Sequence, residues 1–208
     1  MQEKIIFDDF LTKEGEFAAV EIELKKPPIN TYLTAIYNFI YSINTPSQVI
    51  SKLLPSVIVA PVEAQKIDFF ANEIDYLNKI FDEVLGEDVE FVKKINTNDF
   101  DPESKELVSE YDNRKTGKEE IINFNFTDKL MTPLEYRQIL EKDGDLIEVT
   151  RKLVDKSCKD LLIDYEGKKI HKIDYLLATN YLIVFKLRVV IDFFMSNYKI
   201  LKKSGFIK

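Results

Sequence analysis

Apolar positions in this chain change period several times, and each change marks an element. Ile5, Ile6 and Phe7 precede the turn Lys13-Glu14-Gly15-Glu16, and Phe17, Val20, Ile22 and Leu24 follow it. Glu21, Glu23 and Lys25 alternate with the second apolar set, which predicts a β-hairpin with charge on one face of its second strand. Pro27-Pro28 ends it, because neither residue can donate to a ladder. From Asn30 the spacing becomes helical, with Leu33, Ile36, Tyr37, Ile40 and Tyr41 recurring and Asn30 or Thr31 as cap. Asn44-Thr45-Pro46-Ser47 breaks that helix and caps a second, carried by Val49, Ile50, Leu53 and Leu54 and expected to stop at Pro55. Val57 to Ala60 reads as a buried extended piece. Pro61 is then expected to open a long third helix, with Ile67, Phe70, Ile74, Leu77, Ile80, Phe81, Val84 and Leu85 on one stripe as far as Gly86.

Between Asn96 and Glu120 the chain turns polar, through Asp101-Pro102-Glu103 and the charged turn Asp112-Asn113-Arg114-Lys115-Thr116-Gly117, and reads as a linker or ordered loop between two halves. Ile121 to Phe126 is a short strand candidate. Thr132-Pro133 with Glu135 opens a helix holding Leu134, Ile139 and Leu140, interrupted at Gly144, and Leu146, Ile147, Val149, Leu153 and Val154 make another. Leu161 to Ile170, around Asp164-Tyr165-Glu166-Gly167-Lys168-Lys169, suggests a small hairpin. The most apolar stretch is Lys172 to Leu201. Lys186, Arg188 and Asp192 fall in its middle and its longest pure run is only Tyr181 to Phe185, so it is no membrane span. It reads as helix to about Asn180. From Tyr181 to Phe193 both periods fit, since Phe185, Leu187, Val189, Ile191 and Phe193 also alternate as a strand would.

The fold class expected from these elements is α+β and mostly helical: an N-terminal β-hairpin, two helical halves, and a small second hairpin near 161–170. The expected boundaries are 1–95 for the hairpin with three helices, 96–125 for the polar segment, and 126–208 for the C-terminal helical half. Two matches hint that the halves are a duplication: Lys52-Leu53-Leu54 with Lys152-Leu153-Val154, and Lys66-Ile67-Asp68-Phe69-Phe70 with Lys172-Ile173-Asp174-Tyr175-Leu176.

Composition narrows the chemistry. An excess of 36 acidic over 29 basic residues, net −7, with no long basic run, disfavours nucleic acid as the main partner. One cysteine, Cys158, and one histidine, His171, exclude an internal disulfide, multi-cysteine metal sites and histidine clusters. The N-terminus has no signal-peptide pattern, and a reducing cytoplasm is the expected setting. No cofactor signature is present: Lys115-Thr116-Gly117-Lys118 lacks the flanking residues of a phosphate loop. Cys158, among Lys156, Lys159 and Asp160, reads as a half-buried helical residue rather than a reactive thiol, and His171 as an element end. One enzymatic alternative stands. Glu23-Leu24-Lys25 behind Asp8 and Asp9 resembles the acidic and Glu-x-Lys arrangement of restriction-type nucleases, in which carboxylates hold a divalent metal and the lysine orients water.

The remaining constellation is aromatic. Tyr37, Phe39, Tyr41 and Phe193-Phe194 cannot all share one helical face, and surplus exposed aromatics on an acidic chain mark partner surfaces, so Tyr37, Phe39, Tyr41, Tyr181, Phe185, Arg188, Phe193 and Phe194 are the partner-binding candidates. Glu73-Ile74-Asp75-Tyr76-Leu77 ahead of Leu85-Gly86-Glu87, and Asp174-Tyr175-Leu176 ahead of Leu187-Arg188, resemble the baseplate hub assembly proteins and tail assembly chaperones of T-even-type contractile phages, over residues 30–90 and 130–190. No Ser-x-Gly follows Arg188, where that family's pattern has one, and the opening segment differs. The resemblance implies a non-enzymatic structural or assembly protein whose partners are other subunits of a multi-subunit particle, in the host cytoplasm or the virion, without membrane. A small cytoplasmic regulatory binding module is the further alternative.

Overall fold

The structure is a computed structural model that describes residues 3–12, 14–41, 44–71, 74–95, 100–101, 103–127, 131–142 and 146–205. The chain divides into two compact units, Met1–Lys93 and Lys94–Lys208. Both mix helices with antiparallel sheet, as an α+β chain should.

In the first unit, β1 (Glu3–Leu11) and β2 (Phe17–Leu24) form the hairpin, paired Lys4↔Glu23 through Phe7↔Val20 and then shifted by a bulge before Phe10. Phe7, Phe10, Ile22 and Leu24 make its buried face. Two helices follow, α1 (Ile29–Tyr41) and α2 (Pro46–Val57). Thr45 and Gln48 form a reciprocal capping box at the start of α2, which satisfies two main-chain donors. The helix does not stop at Pro55. That residue sits exposed in the last turn, where it forfeits only one bond. β3 (Ile58–Ala60) then returns antiparallel to β2, with Leu24 opposite Ile58, so the extended piece expected there is the third strand.

The long third helix is not continuous. Two 3-10 turns, Val62–Gln65 and Ile67–Phe70, precede α3 (Asp75–Phe81), a π turn (Asp82–Gly86) and α4 (Glu87–Lys93). Tertiary packing decides this: Phe69 and Phe70 turn onto Phe10, at ring separations of 4.9 and 6.2 Å, while Ile67 and Ile74 are left exposed. The helical stripe in the sequence mixed two different faces. Gly86 lies within the helical run rather than at its end.

In the second unit, β4 (Phe100–Asp101), β5 (Glu106–Asn113), β6 (Lys118–Phe126) and β7 (Cys158–Lys159) form a four-stranded sheet in that order. The supposed linker is therefore its principal hairpin. Leu107, Ser109, Tyr111 and Asn113 alternate inward while Val108, Glu110 and Asp112 face out, and Gly117 takes the positive φ its turn requires. Two helices follow, α5 (Pro133–Lys142), whose Thr132 and Glu135 bond reciprocally at its start, and α6 (Leu146–Ser157). The interruption expected at Gly144 lies outside the described residues. The small hairpin is β8 (Leu162–Tyr165) with β9 (Lys168–His171). It leads into α7 (Lys172–Thr179), α8 (Ile183–Ser196) and α9 (Tyr198–Lys203). The undecided stretch is thus a helix. Ile183, Val184, Leu187, Val190, Ile191 and Phe194 all join the core under the sheet, a set that no single strand face could present.

The second unit repeats the plan of the first: hairpin, two helices, and a short strand delivered back to the hairpin's second strand. α2 and α6 are both 12 residues long and exactly 100 residues apart. Val49, Ile50, Leu53, Leu54 and Val57 are buried in one, and Val149, Thr150, Leu153, Val154 and Ser157 in the other. The Lys-Leu-Leu and Lys-Leu-Val matches fall on equivalent turns. Leu153→Ala should cost about 2–5 kcal/mol through the cavity it leaves, read as a lowered urea midpoint with unchanged slope.

Candidate partner surfaces

A second repeated feature is polar. The Tyr32 hydroxyl of α1 donates to Asp88 Oδ2 of α4 at 2.7 Å, and the Tyr136 hydroxyl of α5 donates to Asp192 Oδ1 of α8 at 2.6 Å. Both pairs are separated by 56 residues. In each unit the bond ties the first helix to the last long one. In the first unit Tyr32 also lies 3.1 Å from the Val84 carbonyl inside the π turn, where the extra residue disturbs the regular helical bonding.

The units differ one turn upstream of the aspartate. Where the first has Val84, the second has Arg188, only 4% exposed, whose Nε donates to both Asp192 oxygens at 2.8 and 3.1 Å. Burial first and Asp192 second push the Tyr136 phenol above its usual range. A cleft of about 460 Å³ opens above this floor. Pro133, Tyr136, Arg137 and Leu140 line it from one face of α5, and Asp192, Met195 and Ser196 from one face of α8. The first unit manages the same helix contact without a buried guanidinium, so Arg188 is not a requirement of the fold.

The aromatic candidates separate by this geometry. Phe185, Arg188 and Phe194 are interior, at 2, 4 and 1% exposure, and cannot be outward contacts of this chain. They pack inward because α8 buries most of its circumference: Phe194 meets Phe100 and Phe126 edge-on at 4.8 and 5.1 Å. Phe193, the preceding residue, is 43% exposed on α8. Tyr41 is exposed and Tyr37 half-buried, with their rings 4.8 Å apart on α1. Half-buried Phe39 packs on Phe81 at 4.7 Å. Tyr181 stacks under the Arg114 guanidinium at 4.7 Å and accepts its hydrogen bond at 2.6 Å. It holds the β5–β6 turn rather than presenting a free ring.

That turn is secured further by Glu120. Its carboxylate accepts from Tyr111 at 2.9 Å, from Asn113 at 2.7 Å and from Tyr175 of α7. Burial alone would push the carboxyl up, but the three donors outweigh it and hold the group below its usual range. Lys115, in the non-phosphate-loop segment, bonds Tyr165 and Glu166 at 2.8 and 3.2 Å.

The remaining sequence candidates fall into ordinary roles. Glu23 stands opposite Lys4, whereas Asp8 and Asp9 lie in the bulge at the other end of β1, about 13 Å further along at strand spacing. The nuclease-like carboxylates do not converge, and among the described residues no group of three potential ligands could hold a metal. Cys158 is buried at the start of β7 rather than on a helix, and desolvation pushes its thiol up to about 12, so it stays protonated. His171 caps α7: Nδ1 accepts from the Ile173 amide at 3.1 Å while Nε2 faces Asp155 at 3.0 Å.

The sequence matches no protein-family model, and neither a curated protein nor a solved structure is recognisably similar to it. Among the described residues no helix is long and apolar enough to cross a membrane.

Asp192→Ala removes the carboxylate paired with a buried guanidinium and should destabilise the chain by about 3–5 kcal/mol, a larger loss in chemical denaturation than Tyr136→Phe, which keeps the ion pair. A depressed carboxyl stabilises the fold above its unfolded value and loses that contribution as pH falls through its folded one. The stability gap between wild type and Glu120→Gln should therefore be widest near neutrality and close as the medium is acidified, as followed by urea midpoints across the carboxylate range.

Proposed function

We propose that the chain is a non-enzymatic structural or assembly protein that works through protein contacts, and that the assembly it serves is a contractile phage tail or baseplate. The cleft between α5 and α8 supports the first part. It is open, has Leu140 and Met195 in its lining, and includes Tyr136 and Asp192, which Arg188 joins from α8. Apolar side chains mixed with polar ones around a fixed polar centre offer a helical or extended segment of another subunit both affinity and register. The tail assignment is supported by the resemblance of Asp75-Tyr76-Leu77 and Asp174-Tyr175-Leu176, with their surroundings, to tail and hub assembly proteins.

Produced together with its genomic neighbours, the chain should co-sediment with tail or baseplate particles or their intermediates. A Leu140→Asp, Phe193→Asp double variant should keep its far-UV spectrum while incorporation falls about tenfold or more, as removal of central interface contacts does. Tails that assemble normally without the chain in any fraction overturn the assignment. Magnesium-dependent DNA cleavage lost in Glu23→Ala would replace it with the nuclease reading.

A further inference from the structure

The repeated plan makes the two sheets comparable strand by strand. Leu24 opposite Ile58 corresponds to Phe126 opposite Cys158. Following the hairpin registers back, Lys4, Ile5, Ile6 and Phe7 of β1 correspond to Glu106, Leu107, Val108 and Ser109 of β5. Burial agrees: Ile6 and Val108 are exposed, Phe7 and Ser109 buried. In the second unit the outer edge of β5 is occupied by β4, which puts Phe100 opposite Leu107 and Asp101 opposite Glu106. In the first unit, among the described residues, no strand occupies the corresponding edge. Its far end is closed by the Tyr76 hydroxyl, which donates to the Asp9 carbonyl and accepts from the Leu11 amide.

The dipeptide that fills the edge in the second unit, Phe100-Asp101, also occurs in β1 itself, as Phe7-Asp8. Antiparallel pairing of two β1 strands about Ile6 places Phe7 of one opposite Ile5 of the other, and Asp8 opposite Lys4, twice over by symmetry. We propose that two copies of this chain join through their β1 edges, in register about Ile6, with Phe7-Asp8 of each copy taking the place that Phe100-Asp101 takes beside β5. The pairing supplies main-chain partners to the open edge, sets Ile6, 61% exposed, against its counterpart, and forms two Lys4–Asp8 pairs. A two-fold contact of this kind is self-complementary and closes at a dimer. It takes the contact-based reading one step further by assigning one contact to a second copy, and it does not involve the α5/α8 cleft.

Sedimentation equilibrium of the full chain tests it. Wild type should be a dimer. Lys4→Asp and Asp8→Lys, each setting like charges opposite one another, should raise the dimer dissociation constant about tenfold. The double variant should recover it. Lys4 also pairs with Glu21 of its own hairpin at 2.5 Å, and that contact is not restored in the double variant, so recovery reports the intermolecular pair. Ile6→Cys should cross-link two chains under oxidation, since directly opposed positions in antiparallel strands lie within disulfide reach. A wild-type chain that stays monomeric at its highest soluble concentration overturns the pairing and leaves the cleft reading intact. A dimer indifferent to both charge reversals, or one that fails to cross-link through the introduced thiol, forms elsewhere and overturns it equally.

Discussion

A two-stranded hairpin buries one face and is marginal in water unless something covers that face and extends the ladder. Both units meet this constraint in the same way. The chain leaves the second hairpin strand, runs through two helices, and comes back as a strand of two or three residues beside the strand it left. The returning strand is too short to hold by its own ladder. It is held because Ile58 and Cys158 directly follow a 12-residue helix whose buried positions are already fixed. Helix packing therefore sets strand register here. The long helical run that follows, interrupted by a π turn in one unit and continuous as α8 in the other, is bound to the first helix by a tyrosine–aspartate hydrogen bond.

Elements whose apolar period is dictated by a single buried face could be read from the sequence alone. The first hairpin, α1, α6 and the β8–β9 turn belong to this class, as does the capping signal at Thr132. Misreadings arose where burial is two-sided or supplied by a distant group. α8 is apolar almost all round, so its period carried little information and helix and strand fitted alike. Residues 62–74 continue an apolar stripe in the sequence, yet Phe69 and Phe70 answer to Phe10, some 60 positions earlier. β5 was hidden by its charged outward side chains, although the alternation of Leu107, Ser109 and Tyr111 was present to be read.

The polar centre beneath the cleft was less legible than the fold. Arg188 and Asp192 stand four apart, which suggests a pair, but nothing local marks that pair as buried or brings Tyr136 to it. The signal lay in the repeat, because Tyr32 with Asp88 and Tyr136 with Asp192 share one separation. The repeated plan also gives a physical control that a single domain lacks. Where both units keep a group, the fold accounts for it; where one unit replaces Val84 by a buried guanidinium, a cost in desolvation has been accepted that the fold does not require.

The same comparison bears on sheet edges. An exposed edge is a hazard that proteins limit with bulges, charges and short covering strands. The second unit uses a covering strand. The first has a bulge near Asp8 and Asp9 and a tyrosine hydroxyl at its far end, so its open segment is confined to a few residues between Lys4 and Asp8. One exposed isoleucine bracketed by a cation and an anion discriminates among strands. A generic apolar strand would set no counter-charge opposite either group, whereas a strand of opposite polarity, running antiparallel, sets one opposite each. Such an edge is selective rather than merely unprotected, and β1 itself carries charges that complement β1 in that direction.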